Sequence, residues 1–198
     1  MVMKGFIQTS TLLKTILSSK YSLRMQDTLS HSAVMTIPGY HKLLNITDGG
    51  MIPAPTLEQK LAVIRNAVLT SKALGIHRPK IALHGASNLV IPGSASSMES
   101  AVITQMARRG QLGDVEVDGP ITLDCAVSAE AAKLAGLESP VAGEADALIV
   151  SHIEEGNIIA KSVINFAGAV FSGVVVGSRV PVSLVSRTDS RLNKKSSI

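Results

Sequence analysis

The chain has 198 residues, of which 45% are hydrophobic and 17% charged, and its formal net charge is +4. This balance is typical of a globular protein and excludes a largely disordered chain. Only 3% of the residues are aromatic and there is no tryptophan, so a surface that stacks nucleic-acid bases is not expected. The longest apolar run, residues 166–176, is interrupted by glycine and serine and is too short to span a membrane.

Cysteine use and the chain ends bear on the cellular compartment. Cys125 is the only cysteine, which excludes an internal disulfide and favours the cytoplasm. Residues 1–16 contain no small-residue cleavage site, so we interpret them as part of the mature fold. Much of the net positive charge lies within residues 187–195. Either a polyanionic partner or a solvated basic end would explain this charge.

Strands and helices alternate in the first part of the chain. Residues 1–4 predict a short strand that ends at Lys-Gly, and residues 9–17 predict a helix capped by a hydroxyl side chain. Residues 33–37 and 43–46 predict a strand pair around a Pro-Gly turn. Thr56 predicts the N-cap of a helix that runs to about Leu74 and stops at Gly75. The predicted apolar stripe of this helix consists of Leu57, Leu61, Ile64, Val68 and Leu74.

The alternation continues to the end of the chain. The predicted elements are a strand over 80–83, a helix over 98–107, two short extended pieces over 115–117 and 121–123, a helix capped by Ser128 and reaching 134, a strand over 147–150, a helix over 155–166, and strands over 169–176 and 182–185. Only the final residues, KKSSI, are predicted to be disordered. This order indicates an α/β architecture with a largely parallel sheet.

Polar residues follow several of these strands. In the segments 118–128, 139–150, 154–163 and 184–190, glycine, serine, asparagine, lysine or arginine comes just after an apolar run. Ligands of open parallel sheets bind at the carboxyl ends of the strands. Because most of these polar groups are hydrogen-bond donors, the pattern favours an anionic ligand.

The same segments resemble the phosphate acetyl/butyryltransferase family, and the butyryl branch more closely. The motifs that carry the resemblance are VMKG at 2–5, LSH at 29–31, ITD at 46–48, APTLEQK at 54–60, QMARRGQL at 105–112, DGP at 118–120, LD at 123–124, SPVAG at 139–143, EGN at 155–157 with Lys161, and SR at 186–187. They occur in the family's order and cover nearly the whole chain.

The resemblance implies a cytoplasmic acyltransferase, a phosphate butyryltransferase or phosphate acetyltransferase, that works without a metal. It would transfer a short-chain acyl group, butyryl or acetyl, between coenzyme A and inorganic phosphate. Coenzyme A is then a substrate, no cofactor is needed, and the partners are acyl-CoA, phosphate and a second copy of the chain in a homodimer. Such a reaction requires a basic pocket, donors to the acyl carbonyl, and a group that manages a thiol with a pKa of about 8.5.

The resemblance also implies two α/β/α domains with largely parallel sheets, like those of isocitrate and isopropylmalate dehydrogenases. Residues 30–180 would form the second domain, and residues 1–29 and 181–198 part of an incomplete first domain that lacks much of its N-terminal portion and a C-terminal helix. We therefore expect an exposed apolar patch and weak turnover. A catalytically inactive or regulatory acyl-CoA-binding remnant of the family is the alternative.

Ser186 and Arg187 are the first candidates for the catalytic site. Arginine can bind phosphate through two parallel hydrogen bonds, and a serine hydroxyl can donate to a thioester. The resemblance implies a central role for this pair; otherwise it could begin and cap the next helix. Asp189 is a candidate base, because the family's carboxylate falls at a position occupied here by Asn193. Helix capping is the simpler role for Asp189.

A second cluster consists of Lys4, Thr9, Ser10 and Lys14. A Lys-Gly after a strand, followed by hydroxyl groups at a helix N-terminus, can bind an anion. The remaining candidates for substrate binding are Arg24, His31, Asp118, Ser139, Gly143, Asn157 and Lys161. Several have structural alternatives: a turn for the aspartate before Gly-Pro, a helix cap for the asparagine, and packing for the histidine beside a serine.

Other kinds of site find no support in the sequence. Cys125 is interpreted as structural, because the family reaction needs no covalent thiol. The histidines show no metal-ligand spacing, and neither a GxGxxG nor a GxxxxGK[ST] motif occurs. No bound metal is therefore expected.

Overall fold

The chain forms one eight-stranded sheet within residues 2–5, 7–186 and 189–198, the part that the computed structural model describes. The strands are β1 (Val2–Met3), β2 (Ser30–Thr36), β3 (Leu43–Thr47), β4 (Lys80–His84), β5 (Glu116–Ile121), β6 (Ala147–Ile149), β7 (Val170–Val176) and β8 (Val182–Ser183). The helices are α1 (Thr9–Leu17), α2 (Leu57–Ala73), α3 (Ala95–Arg108), α4 (Leu123–Val127), α5 (Ala129–Leu134), α6 (Ile153–Ala167) and α7 (Arg191–Ser196).

The strand order across the sheet is β1-β8-β7-β2-β3-β6-β4-β5. Four of the seven pairings in the described part of the chain are parallel, and the other three join β3, β2, β7 and β8 in antiparallel fashion. The predicted α/β class with a largely parallel sheet is therefore confirmed. The carboxyl ends of β3, β4, β5 and β6 lie along one edge, and the first residues of β2 meet them there.

Helices cover both faces of the sheet, as β6 shows. Leu148 packs with Ile46 in the core beneath α4, α5 and α6. Its neighbours Ala147 and Ile149 point the other way and pack with Ile64 of α2. Since successive strand residues face opposite sides, a strand buried on both faces needs apolar residues at every position. This explains the unbroken apolar run in the sequence.

Two predicted helix boundaries are confirmed in detail. Thr56 accepts a hydrogen bond from the backbone N–H of Gln59, whose side chain bonds back to the N–H of Thr56. This reciprocal pair satisfies two otherwise unpaired donors at the start of α2. Ser128 caps α5 in the same manner, by accepting from the N–H of Ala131.

The predicted buried face of α2 is partly wrong. Ile64 is fully buried, but Leu74 is 46% exposed. Polar residues occupy the buried face instead, among them Lys60 and Asn66. Asn66 Nδ2 donates to Ser30 Oγ at 2.9 Å. Because this part of β2 presents serines to the helix, polar helix residues can be buried with partners.

The region around residues 115–123 also differs from the prediction. β5 runs continuously through Asp118-Gly119-Pro120 instead of forming two separate pieces. A Cβ atom on Gly119 would lie 2.5 Å from Leu83 Cβ, so the absence of a side chain lets the strand stay against β4. Leu123, predicted to be extended, begins α4.

The C-terminal residues are ordered, contrary to the prediction. They form α7, which Ser190 caps. Asn193 Oδ1 accepts the backbone N–H of Phe171 at 3.1 Å, and Ser197 Oγ accepts that of Gly173 at 2.9 Å. These side chains accept the backbone N–H groups in the part of β7 that the short strand β8 leaves unpaired. The tail is therefore held by tertiary hydrogen bonds that no local pattern reveals.

Segments from both chain ends join the same sheet. β1 pairs with β8, and β8 pairs with β7. The division into a second domain at 30–180 and a partial first domain at 1–29 and 181–198 stays a prediction. In the described part of the chain, no helix combines the length and apolar character that crossing a membrane requires.

An apolar groove of about 680 Å³ lies on the sheet face opposite α6. Val34, Val174 and Val176 form its floor, and Leu69 of α2 lies at its side. An exposed apolar patch was expected from the sequence. The floor of the groove belongs to β2 and β7, and Met25, Pro181 and Ile198, from the segments where the patch was expected, also line it.

Candidate functional site

A second cavity, of about 250 Å³, lies between α6 and the opposite face of the sheet. Asn157, Lys161 and Ile164 face it from one side of α6, where they are spaced three or four residues apart. Ala33 and Ile46 face it from β2 and β3. His31, Ser186 and Asp189 complete its polar end.

The start of α6 is held unusually close to the loop after β3. A Cβ atom on Gly49 would lie 2.7 Å from the carbonyl carbon of Gly156 and 2.9 Å from the backbone nitrogen of Asn157. Such distances leave no room for a side chain. Glycine at 49 and at 156 therefore lets two backbones touch, and this contact places Asn157 and Lys161 over the cavity.

Asp189 connects α6 with the turn that follows β8. Lys161 Nζ donates to Asp189 Oδ1 at 3.0 Å, and the backbone N–H of Ser186 donates to Asp189 Oδ2 at 2.7 Å. The Asp189 side chain is only 4% exposed, whereas that of Lys161 is 41% exposed. Both carboxylate oxygens are thus engaged, and the ammonium group of Lys161 lies at the cavity mouth.

His31 and Asp48 form the adjoining wall. Asp48 Oδ1 accepts the backbone N–H groups of Gly50 and Met51 at 2.7 and 2.9 Å, and its Oδ2 accepts that of His31 at 3.3 Å. His31 Nε2 lies 3.3 Å from the carbonyl oxygen of Leu184. A carbonyl can only accept, so Nε2 carries the proton and donates to it. His31 therefore ties β2 to the segment that leads into Ser186.

Burial sets the ionisation of both residues. Desolvation lowers the pKa of His31, despite the opposing effects of Asp48, the Leu184 carbonyl and Asp189; nearby Lys161 adds to the lowering. Desolvation also raises the pKa of Asp48, although the backbone donors at Gly50, His31 and Met51 oppose it. The neutral imidazole is consequently the favoured form in the folded chain.

Acidification is expected to weaken the fold through His31. In the unfolded chain the imidazole protonates near its usual pKa of 6.5, but the folded chain resists this protonation. The stabilisation is therefore complete above pH 6.5 and is lost as the pH falls below it. Urea unfolding between pH 7.5 and 5 should show a decline in the free energy of unfolding, and this decline should be smaller in His31→Gln. An equal decline in both proteins would contradict the expectation. The raised pKa of Asp48 changes stability in the opposite direction as the pH falls. Because Asp48 is present in both proteins, the difference between their declines is assigned to His31.

A further polar cluster lies along the same sheet edge. Glu155 Oε2 accepts the backbone N–H of Ser151 at 3.0 Å and lies 3.4 Å from His84 Nδ1; Glu155 Oε1 lies 3.3 Å from His152 Nδ1. Partial burial disfavours the carboxylate, but the hydrogen bonds from Ser151, His152 and His84 outweigh it and hold the pKa of Glu155 below its usual value. Glu155 thereby fixes the first turn of α6 against the end of β4.

Five of the residues predicted from the sequence meet at the cavity: His31, Asn157, Lys161, Ser186 and Asp189. Lys4 does not line the cavity; its N–H donates to the carbonyl of Ser183 in β8. Arg187 lies outside the described residues, as does the side chain of Thr9. The roles suggested for those two therefore remain predictions.

The structure does not place the other predicted residues at this cavity. Ser10 and Lys14 are exposed on α1. Arg24 is paired with Asp27 at 2.6 Å. The remaining three candidates have local contacts elsewhere: Asp118 Oδ1 accepts the N–H of Gly119, Ser139 Oγ accepts that of Val141, and Gly143 packs against Ala129.

Sequence reasoning missed Asp48, Gly49 and Gly50 as site residues. The signal was present, because the sequence DGG at 48–50 directly follows β3. Polar residues at a strand's carboxyl end are the pattern that marked the later segments as candidates. The apolar lining, which includes Ala33, Ile164 and Phe171, carries no comparable signal. Ordinary core residues have the same composition.

The cavity suits a small anionic ligand with an apolar part. Lys161 and the asparagine amide of Asn157 supply donors at the mouth, and the interior is apolar. Among the described residues, no group of three or more histidine, cysteine, aspartate or glutamate side chains is arranged to hold a metal ion. The polar side chains that line the cavity can neutralise charge and form hydrogen bonds.

The sequence of this chain is similar to those of several known proteins. A family model described as phosphate acetyl/butaryl transferase matches residues 1–195. The phosphate acetyltransferase of Thermotoga maritima is 43% identical over 197 residues, which are 100% of this chain and 67% of that protein. The probable phosphate butyryltransferase of Bacillus subtilis is 43% identical over 197 residues, 100% of this chain and 66% of that protein.

Solved structures show the same fold. A branched-chain phosphotransacylase from Enterococcus faecalis superimposes with a TM-score of 0.91 at 38% sequence identity, covering 98% of this chain and 70% of that one. A phosphotransacetylase from Streptococcus pyogenes superimposes with a TM-score of 0.83 at 22% identity, over 98% of this chain and 59% of that one. The chain spans about two thirds of the length of the curated relatives it matches.

Proposed function

The chain belongs to the phosphate acetyl/butyryltransferase family, and from this premise we propose that it transfers a short-chain acyl group between coenzyme A and inorganic phosphate. The observation that carries the proposal is the position of Lys161. Its ammonium group lies 3.0 Å from Asp189, at the polar end of a cavity whose remaining lining is mainly apolar. A cation in this position can hold a phosphate oxygen next to an acyl chain.

In the proposed reaction a phosphate oxygen attacks the thioester carbonyl carbon of acyl-CoA. The new C–O bond forms as the C–S bond breaks, and the sulfur leaves as a thiolate that takes up a proton to give coenzyme A. Lys161 and Arg187 would neutralise the phosphate, and the hydroxyl group of Ser186 would donate to the carbonyl oxygen or the leaving sulfur. The part assigned to Arg187 rests on its residue type and on the family motif.

Asp189 has a positioning role in this proposal. Both oxygens of Asp189 accept hydrogen bonds, from Lys161 and from the backbone of Ser186. Only 4% of its side chain is exposed, so little of the carboxylate can reach a substrate proton. Its carboxylate instead fixes the backbone at Ser186. The position of Ser186 in the cavity therefore depends on Asp189.

The compartment, the oligomeric state and the cofactor requirement are also proposed from the family resemblance. We infer a cytoplasmic homodimer that uses coenzyme A as a substrate and needs no further cofactor, as the resemblance implies. Met98 and Val102 of α3 are 41% and 45% exposed and lie one turn apart. They are candidates for part of the surface between the two copies.

The decisive experiment follows free thiol released from butyryl-CoA or acetyl-CoA with and without inorganic phosphate. We expect release that depends on phosphate, together with measurable phosphate binding in titration calorimetry. Lys161→Met should weaken phosphate binding about tenfold, since a partly exposed charge-assisted contact is lost. Lys133→Met removes an exposed lysine from α5 and should leave binding unchanged. No phosphate binding and no thiol release by the unmodified chain would overturn the proposed function.

A further inference from the structure

The inner part of the 250 Å³ cavity is an apolar lobe. Ala33 of β2 and Ile46 of β3 form its floor, Phe171 of β7 forms a side, and Ala160 and Ile164 of α6 cover it. The floor and side are deeply buried, with exposures of 4% for Ala33, 0% for Ile46 and 7% for Phe171. This lobe therefore reaches into the hydrophobic core beneath α6.

The lobe exists because small residues meet at one place on the sheet. Ala33 lies directly opposite Gly173 in the antiparallel pairing of β2 with β7. The ring of Phe171 folds across Gly173, where a Cβ atom would lie 2.5 Å from the ring carbon Cζ. From the helix side, Ala160 contributes a single side-chain carbon. Larger residues at 33 or 160 would fill this space.

Lys161, Asp189 and Ser186 form the polar end of the cavity, and 41% of the Lys161 side chain is exposed there. The His31 ring joins this end to the lobe, since its centroid lies 6.0 Å from that of Phe171. A ligand that matches both ends has a short apolar chain that enters the lobe. Its anionic or strongly polar head remains at the mouth, beside the cation.

The volume limits the length of that chain. One water molecule takes up about 30 Å³ of liquid, so 250 Å³ accommodates roughly eight groups of that size. A four-carbon acyl group with a phosphate or thioester head fits within this limit. Coenzyme A as a whole does not fit, so its nucleotide would lie outside the cavity.

We propose that this lobe is the acyl-chain site and that Ala33, Ala160 and Ile164 select the length of the chain, favouring four carbons over two. The inference rests on the proposed function and adds to it the residues that determine specificity. Each methylene group buried in an apolar site raises affinity about fourfold. Butyryl-CoA should therefore bind about fifteenfold more tightly than acetyl-CoA.

Titration calorimetry with coenzyme A, acetyl-CoA and butyryl-CoA tests this preference. Ala160→Leu should fill the lobe and reduce the preference for butyryl-CoA to about twofold or less, while the affinity for inorganic phosphate stays unchanged. Ala167→Leu is the matched control, because it makes the same substitution at an exposed position of the same helix. It should keep the full preference.

Ile164→Ala provides an independent test in the opposite direction. It removes three carbons from the covering side, so hexanoyl-CoA should gain several-fold in affinity relative to butyryl-CoA. This variant also serves if Ala160→Leu proves to be unfolded by circular dichroism. Retained helix content in each variant shows that the comparison concerns binding and not folding.

The outcomes separate this inference from the function on which it rests. Equal binding of acetyl-CoA and butyryl-CoA, or a change in Ala160→Leu that is the same for both, would overturn the acyl-chain site. If phosphate and coenzyme A still bind in that case, the proposed function stands. Absence of binding to phosphate, coenzyme A and every acyl-CoA would overturn both.

Discussion

Replacing Gly49 by valine is expected to destabilise the fold by about 3 kcal/mol, since added carbons in a fully packed place force the structure apart. The Cβ atom alone would lie 2.7 Å from the Gly156 carbonyl carbon and 2.9 Å from the Asn157 nitrogen. Both are backbone atoms at the start of α6 and cannot rotate away. The first turn of the helix would have to move off the sheet.

That movement should also disturb the cavity. Asn157 and Lys161 lie in the second and third turns of α6, so displacing the helix lengthens the contact of Lys161 Nζ with Asp189, now 3.0 Å. Urea unfolding measures the loss of stability, and phosphate titration measures the effect on the site. Gly93→Val is the control, because no atom lies within 4 Å of a Cβ atom there. A Gly49→Val chain as stable as this control would refute the close backbone contact.

Replacing Asp48 by alanine is expected to cost about 2–4 kcal/mol of unfolding free energy, since buried donors that lose a carboxylate acceptor are costly. Three backbone N–H groups, those of His31, Gly50 and Met51, would lose their acceptor together. Of these, the hydrogen bond to His31 is buried and is the hardest for water to replace. The turn after β3 should loosen along with the start of β2.

A comparison with two other variants locates the origin of this effect. Asp27→Ala removes a carboxylate whose side chain is 98% exposed and should change stability by less than about 0.5 kcal/mol. Asp48→Asn keeps one acceptor oxygen, so we expect a loss smaller than that of Asp48→Ala. Equal stability of Asp48→Ala and the unmodified chain would show that the three hydrogen bonds contribute nothing. Thermal and urea unfolding at pH 7.5 provide the measurement.

Both of these positions lie in the DGG segment, residues 48–50, directly after β3. Asp48 organises the backbone of the turn, and Gly49 allows α6 to rest on it. The turn thus determines where the helix begins and, through the helix, where Lys161 lies. Residues that never touch the substrate in the proposed reaction can therefore control the geometry of those that do.

Much of the architecture follows from the sequence alone. The alternation of apolar runs with helical segments predicts the α/β class, and the hydroxyl at Thr56 predicts the start of α2 to the residue. These features are local: a capping box needs only four residues, and strand burial shows as an apolar run. The family resemblance, carried by motifs in a fixed order, likewise lies in the sequence itself.

The site depended on tertiary structure in ways that local patterns do not encode. The sequence predicts Lys161, Ser186 and Asp189 as candidates. It does not show that Lys161 and Asp189, which lie 28 residues apart, are joined by a hydrogen bond. It also proposed Asp118 and Gly143, which resemble site residues in type but lie at other contacts. Polar residues after strands are common, and only the folded chain decides which of them face one another.

The cavity itself was decided by tertiary structure alone. A hollow arises where small residues from a strand and a helix coincide, as Ala33 and Ala160 do here. Each of these residues is unremarkable in the sequence, and nothing local specifies which partner lies opposite. The sequence by itself determines the family, the class of fold and the type of charge at the site. Register and helix placement, set by packing across the sheet, determine the shape of the space in which a ligand would bind.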